Sequence, residues 1–589
     1  MRKSRLGLAA LAVSATLALG ACGGTTETVT VTEPAATPGT VTEQPGTVTE
    51  TPTTAACPAD TPLNIGLVVQ GQNNVETNNP LNIQSSSSLL GYGRLMTEPL
   101  AIVNRLDAND ITPWLASNVQ WNDSMTELQL TARDGVTWSD GTPFTAEDIA
   151  YNFELRRDFE LDGAFPMDAN RIIGDVTTDG NVVTVHYNVP QLTTWPAQLH
   201  MPIVQKAYTS QYEGPELMTA AMADIPTTGP YTVGTFTPQT VSMVARNDWW
   251  GGPLAVPTIN YVSYNDNTGL ETGLTSGAVQ WSQSPMNNPD AFINADPAHN
   301  VWWTPSDLGI EVMFVNTHVA PWDDVAFRKA ASMSINREAF RAVVNNGAGA
   351  LLTSPTGLGP AGDSFLDPAL ANEHFGDAAA ARAILEEAGY TNVGVPGQLT
   401  DPQGNPVEVV ITAPSDWNDY VDSGMMLAQT WTQELGANAT FEGIDVDTWW
   451  ADRSTGDFNA AQRAAGTTGP LPFFLYRDMI AQPGMGGFAE MGAAGDWNLG
   501  RWVNPEAGAA FTALTSSPVA AEREAGLRTL QRLMVEEVPV IPLAPRPIFS
   551  AFSSLCYTGW PSDANPYAAA QILDAGAPLM VVSHLENRG

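Results

Sequence analysis

The sequence predicts an α/β fold, because patterns typical of strands and patterns typical of helices both recur along it. In NVVTVHYNVP, residues 181–190, apolar and polar side chains alternate as they do in a half-buried strand. In the second half of the chain, helical segments alternate with short apolar runs such as VEVVITAP at 407–414. One such helix is expected where Leu427, Trp431 and Leu435 recur every fourth residue, which predicts a single buried stripe.

Residues 1–21 have the features of a signal peptide. A basic start, MRKSR, precedes an apolar run that is shorter than the roughly 20 residues a membrane-spanning helix needs. The run closes on Leu-Gly-Ala-Cys, which resembles the lipobox of bacterial lipoproteins. This resemblance implies that Cys22 is acylated and that its acyl chains hold the protein at the cell membrane. The alternative is an ordinary cleavage site, with Cys22 an unmodified residue just past it.

Residues 22–56 are predicted to be a flexible tether. They consist mainly of Thr, Pro, Glu, Val and Gly, and the sequence TVTE occurs three times, at 30–33, 40–43 and 47–50. A segment with so few groups to bury and with proline at intervals is typical of an extended linker.

Composition limits the function of the remaining chain. The residues from Cys57 onward are enough for two or three domains. The net charge of −38 disfavours binding to nucleic acid or to other polyanions. Cys57 and Cys556 lie near opposite ends of this part, and outside the cytoplasm they could form a disulfide or remain two separate buried thiols.

The segment from residue 128 to residue 153 is predicted to be scaffold, because it contains no reactive side chain. An alternating strand pattern is followed by turns at Asp134-Gly135 and at Asp140-Gly141, with the strand continuing between them. A helix is then expected to begin at Thr145, with Asp148 as the acidic partner of a capping box.

Four stretches of the chain carry a resemblance to a known family. They are PWLASNVQW with the LTARDGVTWSDGTPFTAEDIAYNFEL that follows, TTGPYTVGTFTPQTVSMVARNDWWGG at 227–252, FVNTHVAPWDDVAFRKAASMSINREAF at 314–340 and AAAARAILEEAGY at 378–390. Together and in this order they resemble solute-binding protein family 5, the dipeptide- and oligopeptide-binding proteins of bacterial ABC importers. The resemblance covers nearly all of residues 60–589.

The resemblance implies a two-lobed, periplasmic-binding-protein-like α/β fold with three sub-domains and a cleft between the lobes. The implied parts are a core of lobe one from 57–98, 227–318 and 545–589, an inserted domain of lobe one at 99–226, and lobe two at 319–544. Strands that connect the lobes are expected near 314–318 and 538–546. A first lobe built from both ends of the chain would bring Cys57 and Cys556 together, which favours the disulfide.

The sequence contains no pattern typical of an enzyme. The six histidines show no zinc-ligand spacing, no Gly-x-Ser-x-Gly occurs, and no cysteine stands beside a plausible base. Residues 357–362 match the letters of a dinucleotide-binding fingerprint, but Pro360 and the lack of a preceding strand predict a loop. We therefore expect no catalytic residue, no cofactor and no metal site.

Aromatic residues in polar loops are the better candidates for function. A tryptophan beside Asn, Asp or Gln offers a flat apolar face with hydrogen-bonding groups nearby, which suits a polar ligand. The alternative for each is packing in a core or between lobes, and Trp114, Trp121 and Trp138 match scaffold positions of the family. The predicted ligand-binding residues are Trp281, Gln283, Trp417, Asn418, Trp497, Asn498 and Tyr476.

The class of ligand is left open between peptides and oligosaccharides. Peptide binders of the family carry an acid in lobe two that pairs with the amino terminus of the peptide. The matching stretch here, Gly-Thr-Thr-Gly-Pro at 466–470, has no acid, and Asp457 or Asp496 are possible substitutes. The missing acid fits the branch of the family that takes up cello-oligosaccharides, in which tryptophans stack on sugar rings.

The resemblance therefore implies a non-enzymatic, lipid-anchored, monomeric receptor outside the cytoplasm. It would bind a short peptide, close its lobes and dock on an ABC permease that works with ATPase subunits. One alternative is the same role for neutral oligosaccharides. A further alternative is a sensor lipoprotein of the same fold that has no transporter.

Overall fold

The structure, a computed structural model, describes residues 57–68, 77–82, 84–108, 110–159, 172–214, 216–466 and 469–588. The predicted signal peptide, the predicted lipidation site Cys22 and the predicted tether up to residue 56 lie outside these ranges. No helix within them combines the length and the apolar composition needed to cross a lipid bilayer.

The strands of the described residues are numbered in chain order. They are β1 Leu63–Val68, β2 Ala101–Val103, β3 Ile111–Pro113, β4 Ala116–Trp121, β5 Glu127–Ala132, β6 Ile173–Asp179, β7 Val182–Tyr187, β8 Tyr231–Phe236, β9 Thr240–Ala245, β10 Thr258–Tyr264, β11 Trp281–Ser282, β12 Asn300–Trp303, β13 Ser306–Val315, β14 Glu408–Pro414, β15 Asn438–Ile444, β16 Ala460–Ala465, β17 Val540–Pro547, β18 Ser550–Ser553, β19 Tyr557–Thr558 and β20 Glu586–Asn587.

The α-helices are numbered in the same way. They are α1 Ser86–Leu89, α2 Gly93–Met96, α3 Ala146–Asp158, α4 Trp195–His200, α5 Lys206–Thr209, α6 Glu216–Thr219, α7 Asn267–Thr275, α8 Pro289–Ala295, α9 Val325–Met333, α10 Arg337–Val344, α11 Ala378–Glu387, α12 Asn418–Thr430, α13 Val446–Thr455, α14 Pro472–Ile480, α15 Pro505–Ser516, α16 Ala520–Glu537 and α17 Ala577–His584. A π-helical turn, Trp431–Leu435, continues α12, and two short 3₁₀ helices occur at Pro360–Phe365 and Pro368–Leu370.

Lobe one is built on a sheet of seven strands in the order β12-β18-β11-β1-β10-β9-β8. At its centre β1 runs parallel to β10 on one side and to β11 on the other. Leu63, Ile65 and Leu67 of β1 are buried, because alternate residues of a strand share one face. The sheet therefore joins strands from the beginning, the middle and the C-terminal part of the chain.

The inserted domain of lobe one has a sheet of its own. Strands β4-β5-β7-β6 form a four-stranded antiparallel sheet, and β2 pairs with β3. Leu128 and Leu130 on β5 belong to the same hydrophobic cluster as Leu63 and Tyr261 of the large sheet. The inserted domain and the core of lobe one thus share one apolar interior.

Lobe two is built on a five-stranded sheet in the order β15-β14-β16-β13-β17, with helices on both faces. Residues of β13 alternate between the two faces: Val312 and Phe314 enter one hydrophobic cluster, and Met313 and Val315 enter the other. A strand that is covered on both sides is almost continuously apolar, which explains the run GIEVMFV.

The segments that connect the lobes differ from the prediction. Strand β12 belongs to the sheet of lobe one and β13 to that of lobe two, so the first crossing lies at residues 304–305. The return crossing lies at 548–549, between β17 and β18. The predicted hinge strands near 314–318 and 538–546 instead lie within or border β13 and β17, which pair with each other inside lobe two. The predicted boundaries at 318 and 545 are corrected to about 305 and 548.

Several local predictions are confirmed. Thr145 and Asp148 form the capping box at the start of α3, and the glycines of both Asp-Gly turns have positive φ values of 80° and 83°. The strand predicted between these turns is reduced to a single bridge, Thr137 with Pro143. The structure joins Cys57 and Cys556 in a disulfide, with Cα atoms 5.4 Å apart.

Candidate functional site

The two crossings, at 304–305 and 548–549, form the hinge between the lobes. They lie beside the carboxyl ends of the parallel strands in both lobes. In lobe two, β14 is parallel to β15 and β16, and the carboxyl end of β16 pairs with residues near the start of β13. In lobe one, the carboxyl end of β11 pairs with the start of β18. Open α/β sheets bind their ligands just outside the carboxyl ends of their strands. The cleft between the lobes, on the hinge side, is therefore the candidate ligand site.

Two contacts lie beside the crossings, and the second of them joins the two lobes. Trp302 of β12 and Phe549 of the return crossing stack with their ring centroids 5.5 Å apart. Arg105 of the inserted domain forms an ion pair with Asp307, the second residue of β13. Burial is the largest single effect on the pKa of Arg105 and acts to lower it, but the charges of Asp307 and Asp574 and the hydrogen bond to Asp307 together raise it.

An aromatic cluster lies just past the carboxyl ends of β14 and β15. It consists of Trp417 and Tyr420 at the start of α12 and of Trp449 and Trp450 in α13. The ring centroids of Trp417 lie 5.3 Å from those of Tyr420 and 5.5 Å from those of Trp449. Trp449 is buried, whereas Trp450 is 45% exposed. The cluster places flat apolar surfaces where a ligand could contact them.

A half-buried carboxylate, Glu311, lies on β13 close to this cluster. It accepts a weak hydrogen bond from Gln462 at 3.4 Å and lies 3.8 Å from the guanidinium of Arg546. Burial raises the pKa of Glu311; Arg546 counteracts the rise, and the charge of Asp419 adds to it. An ionised ligand amine would offset this desolvation by a charge-assisted hydrogen bond.

Basic side chains on α13, β16 and α14 also lie beside indole rings. The guanidinium of Arg453 lies over the rings of Trp449 and Trp450, at 4.3 and 3.9 Å from their centroids. The guanidiniums of Arg463 and Arg477 lie 5.1 and 4.0 Å from the ring centroid of Trp497. Lobe two thus presents both signs of charge beside indole rings.

An acid beside the end of β16, Asp478, is already paired. Asp478 is buried, lies 2.7 Å from the guanidinium of Arg477 and accepts a hydrogen bond from the backbone N–H of Gly466 at 2.9 Å. The two substitute acids suggested by the sequence, Asp457 and Asp496, are both exposed.

The structure corrects three of the predicted ligand-binding residues. Trp281 is fully buried, and its Nε1 donates to the carbonyl of Ala570 at 3.0 Å. Tyr476 is fully buried and donates to the carbonyl of Thr356 at 3.0 Å. These side chains hold the interiors of lobe one and lobe two respectively.

The third correction is Asn498, an amide that braces a loop; Gln283 also braces a loop, but it is half-buried and stays a prediction. The side chain of Asn498 is buried; it donates to the carbonyl of Ala481 and accepts from the N–H of Trp502. The side-chain oxygen of Gln283 accepts from the N–H groups of Ile572 and Leu573 at 2.7 and 3.0 Å. A polar residue in a polar stretch of sequence was expected to face a ligand, but here its hydrogen-bond partners are backbone groups of the protein.

The remaining three candidates lie on lobe two and stay predictions. Trp417 is half-buried in the aromatic cluster, Asn418 is exposed at the start of α12, and Trp497 is half-buried beside two arginines. The sequence analysis missed Glu311, Arg453 and other charged neighbours. A charged residue inside an otherwise apolar strand, as in GIEVMFV, was the available signal for Glu311.

The described residues include no group of three or more His, Cys, Asp or Glu side chains positioned to hold a metal ion. The letters of the dinucleotide fingerprint fall on a loop and the 3₁₀ helix Pro360–Phe365, with no strand directly before them.

Comparison with known proteins gives matches along most of the chain. A model of the bacterial extracellular solute-binding proteins, family 5, matches residues 110–486, which is more than half of the chain. The nickel-binding periplasmic protein of Escherichia coli K12 is 22% identical over 369 residues; the match covers 59% of this chain and 66% of that protein, slightly under two thirds. The oligopeptide-binding protein OppA of Bacillus subtilis is 20% identical over 464 residues, covering 73% of this chain and 78% of that one.

Solved structures share the fold over almost the whole described chain. The periplasmic oligopeptide-binding protein of an oligopeptide ABC transporter from Thermotoga maritima matches with a TM-score of 0.80 at 22% identity, covering 89% of this chain and 99% of that one. The same protein with mannohexaose bound matches with a TM-score of 0.70, covering 90% of this chain. The two-lobed α/β fold is therefore confirmed.

Proposed function

Because this chain belongs to family 5 of the bacterial extracellular solute-binding proteins, we propose that it captures short peptides outside the cytoplasm and delivers them to an ABC importer. The observation that carries the choice of peptides is Glu311, a half-buried carboxylate beside the aromatic cluster. It can accept the ammonium group of a peptide in place of the acid that the sequence lacks after β16. The rings of Trp417 and Tyr420 would then lie along the peptide chain.

Lobe closure is the proposed mechanism of capture. The lobes are joined by two short crossings, at 304–305 and 548–549, so few backbone torsions need to change when they move. A ligand that contacts both lobes stabilises the closed state by the contacts it makes only there. We propose that the closed form is the one that docks on the permease and its ATPase subunits.

Peptide binding is tested by titrating the purified protein with a pool of three- to five-residue peptides, followed by tryptophan fluorescence and calorimetry. Glu311→Gln is expected to weaken binding of peptides with a free amino terminus about tenfold, because it removes a charge-assisted hydrogen bond. N-acetylated peptides should bind the wild type and the variant equally. Glu524→Gln, which alters an exposed pair with Arg528 on α16, is the matched control.

Neutral oligosaccharides are the second candidate ligands. The aromatic cluster suits sugar rings, and the Thermotoga maritima protein of the same fold holds mannohexaose. Manno- and cello-oligosaccharides are therefore titrated beside the peptides. Binding of sugars without binding of peptides would replace the first proposal by the second. Binding of neither would contradict both, and would leave the sensor role as the interpretation to pursue.

Anchoring at the membrane through Cys22 is also proposed, from the Leu-Gly-Ala-Cys sequence alone. Cells that produce the protein should incorporate radiolabelled palmitate into it, and the labelled protein should sediment with membranes. Cys22→Ser is expected to abolish the label and release the protein from the membrane fraction, with Cys57→Ser as the control that keeps the label. Equal labelling of the wild type and Cys22→Ser would disprove the anchor.

A further inference from the structure

A turn of the inserted domain reaches from lobe one to lobe two. It connects β2 to β3, the structure describes its residues 104–108 and 110, and we call it the cross-lobe turn. Residues 105–108 of the turn and five residues of lobe two line a cavity of about 50 Å³ between the lobes; the five are Leu308, Ala361, Ser364, Phe365 and Pro470. The turn therefore adds a contact between the lobes to the two crossings of the hinge.

The cross-lobe turn is fixed to lobe one. The side-chain amide of Asn104 is buried; it donates to the carboxylate of Asp110 at 3.0 Å and to the backbone carbonyl of Pro566 at 2.9 Å. Leu106 packs against the hydrophobic cluster that the inserted domain shares with the core of lobe one. Because all these partners belong to lobe one, the turn moves with lobe one when the lobes move relative to each other.

The turn meets lobe two at the carboxyl end of β16. Pro470, which lines the cavity, lies shortly after that end of the strand. Leu308, which also lines it, is at the same place: a Cβ added to Gly466, the residue directly after β16, would lie 3.1 Å from the backbone oxygen of Leu308. The cleft lies just outside these strand ends. Movement of the lobes apart about the two crossings would therefore separate the turn from lobe two.

An ion pair fastens the cross-lobe turn to lobe two. Arg105 donates through Nε to one carboxylate oxygen of Asp307. The side chains are 23% and 5% exposed respectively, so water screens this pair less than it screens a surface ion pair. Each group also has a partner in its own lobe: the charge of Asp574 attracts Arg105, and the other oxygen of Asp307 accepts from the N–H of Gly309 at 2.7 Å. The pair can therefore break and re-form without leaving either charge isolated.

We propose that the cross-lobe turn is a latch that stabilises the closed state, and that the ion pair of Arg105 with Asp307 is its principal contact. The proposal rests on the proposed function, because it concerns the lobe closure by which a ligand is captured. A latch made of protein groups contributes the same free energy to closure whatever the ligand is. It therefore sets the affinity for all ligands together and does not select among them.

Single-molecule fluorescence energy transfer between one dye on each lobe measures the fractions of open and closed molecules. The dyes are attached to cysteines introduced by Asp179→Cys in the inserted domain and by Glu387→Cys in lobe two, at two exposed positions. Cys22→Ser removes the other free thiol, because Cys57 and Cys556 are joined in the disulfide. The measurement is made without ligand and with the peptide and oligosaccharide pools, so that it does not depend on knowing the ligand.

Arg105→Gln is expected to shift the ratio of closed to open molecules about five- to tenfold toward the open state, and to weaken binding of every probe by the same factor. Asp307→Asn should act similarly, and the double variant should act no more strongly than either single one, because all three remove the same pair. Arg157→Gln, which alters an exposed pair with Asp158 in the same domain, is the matched control and should change neither quantity. Thermal unfolding shows whether each variant is folded.

Failure of the latch is distinguishable from failure of the proposed function. If folded Arg105→Gln keeps the wild-type ratio of closed to open molecules, the latch is overturned, whether or not any probe binds. If the variant weakens the binding of some probes and not of others, Arg105 contacts the ligand and the latch is overturned as well. A wild type that binds none of the probes would contradict the proposed function, and the energy-transfer measurement without ligand would still decide whether the turn holds the lobes together.

Discussion

Replacing Trp431 with alanine is expected to lower the free energy of unfolding by about 3 to 5 kcal/mol. Trp431 is fully buried at the junction of α12 and the π-helical turn that follows it. Its ring packs edge-on against Trp322, with centroids 5.3 Å apart, and its Nε1 donates to the carbonyl of Ala331 at 3.0 Å. The substitution removes the packing of both rings and leaves that carbonyl without its donor.

The size of the loss in unfolding free energy depends on how far the neighbouring side chains can move into the space that Trp431 leaves. Trp431 belongs to the hydrophobic cluster on one face of the lobe-two sheet, where Leu427 and Leu435 are also buried. Neighbours fixed in a sheet and in α9 relax only partly into a new cavity. Trp431→Phe should cost less, because it retains much of the ring volume and loses chiefly the hydrogen bond.

Urea unfolding followed by circular dichroism measures both variants. Trp450→Ala is the matched control: it removes the same side chain, but that side chain is 45% exposed. Its effect is expected to stay within about 1 kcal/mol. Equal losses for Trp431→Ala and Trp450→Ala would mean that burial does not determine the contribution of these tryptophans.

The buried stripe of Trp431 shows which part of the fold could be predicted from the sequence. Leu427, Trp431 and Leu435 recur with a helical period, and periodicity is a local property that the chain displays directly. The capping box of Thr145 and Asp148 is local in the same way. The resemblance to a family predicted the two lobes. The lobes in turn favoured the pairing of Cys57 with Cys556, which are 499 positions apart.

The candidate site could be predicted only in part, because burial is decided by tertiary structure. Trp281 and Trp417 stand in similar polar stretches, yet Trp281 donates to a carbonyl 289 positions away inside lobe one, and Trp417 lies half-buried in the aromatic cluster of lobe two. The hinge was misplaced for a related reason. The apolar sequence of β13 indicates that this strand is covered on both faces. It does not indicate which of the two sheets the strand joins.

Arg453 could not be singled out from the sequence, because what distinguishes it is that part of its buried guanidinium has no hydrogen-bond acceptor among the described residues. In the sequence it is one of several charged residues in a helix with polar positions. Only the packing of α13 reveals that its Nε and Nη1 atoms are buried without an acceptor in the described part of the chain. An unsatisfied group is recognised by counting all its neighbours, and sequence spacing cannot supply that count.

The stability of the protein is expected to fall by about 3 kcal/mol as the pH rises from 4.5 to 8, through one carboxyl group. Glu98 is fully buried where the inserted domain joins lobe one. Indole N–H groups surround it: Trp114 donates to Oε1 at 2.7 Å, Trp249 to Oε1 at 3.2 Å and Trp250 to Oε2 at 3.0 Å. Burial raises the pKa of Glu98 to about 7, although these hydrogen bonds act to lower it.

The direction of the effect follows from the two states of the chain. In the unfolded chain Glu98 loses its proton near pH 4.5, its ordinary pKa, whereas in the folded protein it keeps the proton until about pH 7. Below pH 4.5 both states are protonated and the stabilisation is complete. Between these values the unfolded state gains an ion that the fold disfavours, so the free energy of unfolding decreases as the pH rises. Above about pH 7 the loss is complete.

Glu98→Gln isolates this contribution from all other titrating groups, because glutamine does not ionise. The difference in the free energy of unfolding between wild type and variant is measured by urea unfolding from pH 4.5 to 8. It should change by about 3 kcal/mol, with the wild type losing stability relative to the variant as the pH rises. Glu147→Gln is the control of opposite sign: Lys206 lowers the pKa of the exposed Glu147, so the wild type should lose stability relative to that variant as the pH falls. A difference for Glu98→Gln that does not vary with pH would mean that the indole groups keep the carboxylate ionised throughout, and that three donors outweigh full burial.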